Sequence, residues 1–277
     1  MDIDSFAPIF SFYCSTERDF FEKIAKYRAL RQIWAQEINK RFNPHNSRSM
    51  AARITCRTVG SMLTAQQPLI IIVRTTTQDL ASMLGGVQSI IITPYDEALS
   101  IPSKESMTMS LRQHDILGYE TNVRVVSDPL GGSYFVEKLT AQYAEKVREE
   151  MASIENLGSG EEHGPAMITG FIKGIETGYF RRKIDEASYG RKKEIDSGEL
   201  VIVGVNKSVE DKEVPIHLEQ GAPRSRDIKI RRLKEFRQRR DAKAVQTALD
   251  RLLEATLKGQ MEPLIEAFLK GATIQEV

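Results

Sequence analysis

The side chains able to do chemistry in this chain are few and scattered. Its four histidines, His45, His114, His163 and His217, form no HExxH-type cluster, which argues against a histidine-built metal site. Cys14 and Cys56 lack metal-ligand spacing and read as small buried hydrophobes of a reducing compartment. The stretch Asp128-Pro129-Leu130-Gly131-Gly132-Ser133 has two glycines but not the GxxxxGK[ST] form, so it reads as a tight turn rather than a phosphate cradle. Nine residues between Arg224 and Arg240 are Lys or Arg, with only Phe236 among them. That is the pattern of a solvated helix face rather than of a nucleic-acid surface. Arg57 carries a guanidinium that could hold a carboxylate or a phosphate. Its ordinary alternatives are an ion pair with Glu97 or Asp96, or a solvated strand end. Ser11 and Tyr13 alternate along an apolar segment, so both face one side of a strand.

These residues need elements to position them. Ala7–Tyr13 reads as a buried strand. Thr16 and Asp19 fit a capping box, and Phe20, Ile24, Tyr27, Leu30, Trp34 and Ile38 follow at helical spacing. Asn43-Pro44-His45-Asn46 is a turn. A second strand fits Ala52–Thr58, a helix runs from about Val73 to Leu84 before Gly85-Gly86, and a third strand fits Val87–Ile92. Beyond residue 98, helices are expected over 103–119, 140–156, 164–178 and 180–197. An isolated strand is expected over Leu200–Val205, an extended linker over 208–223, and a helical tail from Arg224. Strands alternating with helices predict parallel βα units. Three such strands cannot close a barrel, which needs about eight strands and roughly 250 residues. An open three-stranded sheet leaves edges that a partner would have to cover.

The bulk numbers fit a soluble globular protein: 277 residues, 41% hydrophobic, 28% charged, net charge +1. No global field favours nucleic acid or membrane. Met1-Asp2-Ile3-Asp4 is not a secretory leader, and the longest apolar run, Leu69–Val73, is too short to cross a bilayer. A cytoplasmic protein is expected.

An ordered set of short stretches carries a resemblance. The set is Asp4-Ser5-Phe6-Ala7-Pro8, Ala25-Lys26-Tyr27-Arg28-Ala29 with Trp34, Leu63-Thr64-Ala65-Gln66-Gln67-Pro68 and Val73-Arg74-Thr75. It continues through Leu84-Gly85-Gly86-Val87-Gln88-Ser89, Asp96-Glu97-Ala98-Leu99, Asp128 to Tyr134, and Gly204-Val205-Asn206-Lys207. Together these resemble the substrate-binding subunit of adenosylcobalamin-dependent acyl-CoA mutases, the methylmalonyl-CoA mutase family, over nearly the whole chain. The resemblance implies an α/β fold: a partial TIM (β/α)8 barrel, the last three βα units, followed by a mainly helical extension. Residues 1–120 would be the barrel portion, 121–207 a helical extension with one strand, and 208–277 a linker and helical tail. It also implies a radical isomerisation of an acyl-CoA, with the cofactor adenosylcobalamin held mainly by another domain or subunit. No DxHxxG cobalamin motif occurs in this sequence. The implied partners are an N-terminal mutase barrel fragment carrying the residues that select the acyl group, a cobalamin-binding subunit and the acyl-CoA, with room for a homodimer.

Site residues follow only by that resemblance. Glu97 matches the family's glutamate on the adenosyl ribose, and Gln88 matches a glutamine lining the site. Unaided, Glu97 would read as a carboxylate at a helix N-terminus and Gln88 as a loop amide capping the preceding helix. Thr93 stands where the family has an asparagine on the cofactor side. Ser11 and Tyr13 fall where the family contacts coenzyme A or the acyl group, and Thr55 and Arg57 where its pattern is His-x-Gln-Thr. No metal site and no acid–base pair is implied. Several positions depart from the family: Ile9 stands in place of a frequent arginine, Ile70 and Ile71 in place of paired asparagines, and Thr55, Arg57 and Thr93 as noted. Those losses favour an alternative, a catalytically inactive homologue acting as scaffold or assembly partner.

Overall fold

A computed structural model describes residues 2–159, 165–211, 215–220, 224–256 and 261–277. His163 and parts of the expected linker lie outside these. The chain divides into two compact units, Met1–Glu219 and Gln220–Val277.

The first unit opens on three βα repeats. Strand β1 (Ser11–Thr16) is followed by helix α1 (Phe20–Phe42), strand β2 (Arg53–Thr58), helix α2 (Ile70–Leu84), strand β3 (Ser89–Ile91) and helix α3 (Lys104–Glu120). The strands form one parallel sheet in the order β1-β2-β3. The register pairs Ser11 with Arg53, Tyr13 with Thr55, Ser15 with Arg57, Thr55 with Ser89 and Arg57 with Ile91. Residues paired in register share a face of the sheet. The opposite face, with Phe12, Cys14, Ile54, Cys56 and Ile90, packs on Tyr27 and Trp34 of α1. The three βα units expected from the sequence are therefore present.

The first strand lies further along than expected. Ala7–Ile9 forms a short 3-10 turn with Pro8 at its start, because proline fixes φ and has no N–H for a ladder. Thr16 does not cap α1. It ends β1 fully buried, and its hydroxyl meets Tyr27 Oη at 2.5 Å and Ser82 Oγ at 2.8 Å. The cap is Asp19, whose carboxylate accepts from the Glu22 backbone N–H at 3.0 Å. Asn43 closes α1 in the left-handed region, as the turn signal implied.

Helices α4 (Tyr134–Gly158), α5 (Ala166–Glu176) and α6 (Tyr179–Ser197) follow. α4 starts earlier than expected because Ser133, the last residue of the glycine turn, is its N-cap. Asp128 at φ +50° shapes that turn, whose Gly131 N–H donates to the Asp128 carbonyl at 2.9 Å. Arg28 of α1 ties the turn down through Asp128 and Glu137, the latter at 2.5 Å.

The strand expected over Leu200–Val205 does not form. The apolar run meets no neighbouring strand; its one ladder contact is an isolated bridge of Val203 with Lys207. Asn206 takes over its backbone groups instead. Its side chain accepts from Ile202 N at 2.7 Å and donates to the carbonyls of Ile195 and Leu200 at 2.9 and 2.8 Å. A side chain that satisfies the backbone locally competes with a ladder.

The second unit holds α7 (Ser225–Arg239), α8 (Ala242–Thr256) and α9 (Glu262–Leu269). Its core is Val245, Ala248, Ala267 and Ala272. Arg240 grips Glu276 with bonds of 2.6 and 2.5 Å, and this guanidinium with Thr273 holds the Glu276 carboxyl well below the usual carboxylate range. The basic helix α7 buries none of its residues, as a solvated face should.

Candidate functional site

Parallel register and strand alternation put Ser11, Tyr13, Ser15, Arg53, Thr55, Arg57, Ser89 and Ile91 on the sheet face turned away from α1. That face is largely open. Tyr13 is 65% and Ile91 45% exposed, and Ser11, Arg53 and Ser89 are exposed as well. Four residues expected to meet substrate, Ser11, Tyr13, Thr55 and Arg57, are thus brought together on one surface. Ser15, Arg53 and Ser89 share it. Alternation would have found Ser15 and Arg53 from the strand boundaries; Ser89 required the register.

At the C-terminal ends of β2 and β3 the polar groups form a chain. One Arg57 terminal nitrogen reaches both Glu97 carboxylate oxygens, at 2.5 and 2.7 Å, and Arg57 Nε donates to Thr93 Oγ1 at 3.2 Å. Thr93 in turn donates from its backbone N to Thr58 Oγ1 at 2.8 Å and from its hydroxyl to the Thr58 carbonyl at 2.5 Å. Glu97 and Arg57 stay part-exposed, whereas Thr93 is buried with its hydroxyl fully engaged. Thr93 therefore aims Arg57 and presents nothing to a ligand on its own.

Glu97 lies on the turn between β3 and α3, not at a helix N-terminus, so the dipole reading of this carboxylate has no helix to rest on. Its neighbour Asp96 is buried and accepts from the Ser103 backbone N–H at 2.8 Å, which ties the turn to the start of α3. Asp96 leaves Arg57 to Glu97. A carboxylate has about four acceptor positions. With one nitrogen on both its oxygens, Glu97 keeps acceptor capacity for hydroxyl donors such as those of a ribose. The donor set thus fits a ribose edge at Glu97 and offers no metal ligand cluster among the described residues.

Gln88 is elsewhere. Its side-chain carbonyl accepts from Ile54 N at 2.7 Å, its backbone N donates to the Ile54 carbonyl at 3.0 Å, and its amide nitrogen donates to the Gly86 carbonyl at 3.1 Å. The amide extends the β2–β3 ladder at its N-terminal end. Ile54 precedes Arg57 by three residues, about 10 Å along a strand. Gln88 thus stands apart from Glu97 and Thr93, with its amide pinning the sheet to the turn that follows α2. Ile9 is 74% exposed ahead of β1.

Beneath the site two titratable groups are perturbed. Burial pushes the Tyr27 phenol far up from its ordinary value. His114 Nδ1 of α3 lies 2.8 Å from the fully buried Asp79 carboxylate of α2, and this contact raises the imidazole's pKa. Both groups hold helices to the sheet.

A family model described as methylmalonyl-CoA mutase matches residues 1–277. The chain is 37% identical to the 2-hydroxyisobutanoyl-CoA mutase large subunit of Aquincola tertiaricarbonis, across all of this chain and 48% of that protein. It is 35% identical to the methylmalonyl-CoA mutase of Rhizobium meliloti (strain 1021), covering 38% of it, and 35% identical to the mitochondrial methylmalonyl-CoA mutase of Homo sapiens, covering 36%. The chain thus spans less than half the length of these curated relatives.

Proposed function

We propose that this chain, which belongs to the methylmalonyl-CoA mutase family, supplies three consecutive βα units to the substrate barrel of an adenosylcobalamin-dependent acyl-CoA mutase. The observation that carries this is the open sheet. Its α1 side is packed, while its other side is a polar surface of Ser11, Tyr13, Ser15, Arg53, Thr55 and Arg57. Such a face inside a closed barrel lines a ligand channel; on three strands it is unfinished. A partner carrying the N-terminal barrel half would close the channel around an acyl-CoA. A cobalamin-binding subunit would cap the C-terminal strand ends, where Glu97 and Arg57 stand.

Bound there, adenosylcobalamin supplies the radical for a carbon-skeleton isomerisation. This chain's own residues orient and shield. Glu97 accepts hydroxyl hydrogen bonds, Arg57 fixes the Glu97 carboxylate and offers charge to an anionic acyl group, and Thr93 fixes Arg57. Ser11, Tyr13 and Thr55 supply hydrogen bonds and wall area along the substrate. Both cysteines are free thiols, which agrees with a reducing cytoplasm. No helix among the described residues is long and apolar enough to cross a membrane.

The test is reconstitution of the full chain with candidate barrel and cobalamin-binding chains plus adenosylcobalamin. Turnover of methylmalonyl-CoA, 2-hydroxyisobutanoyl-CoA or a related thioester is the expected result. A second reading has its own observation: Ile9, Ile70, Ile71 and Thr93 replace polar family positions, and Arg57 engages both oxygens of Glu97. On that reading the chain is a scaffold for a mutase partner. Stable complexes with no thioester turnover would decide for it.

A further inference from the structure

We infer that a cleft between the β2–α2 loop, α2 and the segment 201–203 is a binding site for a phosphoryl group. The cleft is about 210 Å³ and is lined by Arg18, Ser61, Met62, Thr64, Arg74, Thr77, Gln78 and residues 201–203. Three observations fix the chemistry. First, two guanidiniums and no carboxylate line it. Arg74 is half-buried and is spent only on neutral acceptors, Thr64 Oγ1 at 2.9 Å and the Val203 carbonyl. Burial without a counter-charge pulls its pKa below the ordinary arginine value, so an anion beside it relieves a standing cost. Arg18 is exposed and has no hydrogen bond or ion pair among the described residues.

Second, Gln78 is 5% exposed, and its Oε1 is buried with no hydrogen-bond partner among the described residues. A buried amide left unbonded costs stability and calls for an explanation. Its amide nitrogen has no hydrogen-bond partner among the described residues either, so its N–H donors are free for a ligand in the cleft. Third, the volume is below the roughly 300–1,000 Å³ of ordinary small-molecule pockets. The cleft suits a compact anion held by the two arginines; the Thr64 and Thr77 hydroxyls, which donate to the Gln66 and Arg74 carbonyls at 2.8 and 2.7 Å, only bound it. Arg18 and Ser61 also border a second cleft that contains Glu17, Asp19 and Glu22. Glu17 and Glu22 are occupied by Lys23, at 2.5 and 2.9 Å, and Asp19 caps α1. None of the three lines the smaller cleft.

The cleft stands on the loops that follow β1 and β2, the side of the sheet that carries Glu97, so it is open to a cofactor or substrate phosphate as well as to free phosphate. The test uses the full chain and isothermal titration at low ionic strength with inorganic phosphate, phenyl phosphate and malonate. Saturable, salt-weakened phosphate binding is expected, with malonate clearly weaker. Arg18→Ala should weaken it about tenfold to a hundredfold, one charge-assisted hydrogen bond's worth. Thr77→Glu, at an exposed position, should abolish it by placing a carboxylate in the cleft while far-ultraviolet circular dichroism stays unchanged. Lys229→Ala on the remote basic helix should leave it intact. Phenyl phosphate binding as well as free phosphate means an open-ended site for an esterified phosphate; binding of free phosphate alone means a closed one. Unsaturable phosphate binding, equal binding of malonate, or indifference to both cleft variants overturns the proposal.

Discussion

Arg57 and Glu97 illustrate how one charged side chain sets the job of its neighbours. The Arg57 guanidinium engages the Glu97 carboxylate and is backed by the Thr93 hydroxyl. Because both partners are part-exposed, the pair contributes little to stability, up to about 1 kcal/mol. Glu97→Ala should therefore leave the urea midpoint nearly unchanged while weakening adenosylcobalamin binding in a reconstituted complex by about tenfold, a hydrogen bond or two. Unchanged cofactor affinity would remove Glu97 from the site. His114 gives a prediction of the opposite kind, in stability alone. Its folded pKa is raised, chiefly by the Asp79 carboxylate, with Asp115 and the Ile90 backbone acting the same way and burial opposing them. A raised folded pKa contributes stability that is fully present below the unfolded value of about 6.5 and is lost as pH rises through the folded value. Stability of the wild type should accordingly fall across that window. In His114→Asn the urea midpoint should be flatter with pH there, and equal slopes would refute the linkage.

At the scale of elements, glycines decide where helices touch. α4 and α5 cross at Gly158 and Gly170. A Cβ on Gly170 would lie 1.9 Å from the Ile154 carbonyl oxygen, and one on Gly158 would lie 2.0 Å from that of Ala166. These obstacles are backbone, so the helices must part. Gly170→Ala should cost at the upper end of the roughly 1–3 kcal/mol typical of overpacking. The loss should show as faster proteolysis within Ala166–Glu176, with the sheet unaffected. Gly85 is a milder case, since its Cβ would meet the Tyr27 ring at 2.8 Å. The elements also show what periodicity conveys and what it misses. The apolar repeat from Phe20 to Ile38 gave α1 because it packs on strands beside it, whereas the equally apolar run Leu200–Val205 had no strand to join and folded around Asn206.

For the whole molecule the governing fact is that β1 and β3 each have one paired edge among the described residues. Unpaired strand edges and exposed apolar side chains such as Ile9, Tyr13 and Ile91 promote association. The isolated chain should bind a hydrophobic dye and self-associate in light scattering. A chain carrying the N-terminal mutase barrel half should suppress both and give a defined complex. A monodisperse, dye-silent monomer would show that the face is covered in some other way.

The sequence by itself determined the family, the order of βα units, the run of helices after β3 apart from the Leu200–Val205 segment, and Arg57 as a cation whose partner would be Glu97 or Asp96. Local patterns carry that information, because helix period, strand alternation and turn residues are set by neighbours along the chain. Only the tertiary structure decided which residues share the open face, that Gln88 pins the far end of the sheet, that Thr93 is sealed behind Arg57, and that Arg18, Arg74 and Gln78 meet in one cleft. Register, burial and charge pairing arise between segments distant in sequence, and no spacing along one segment encodes them.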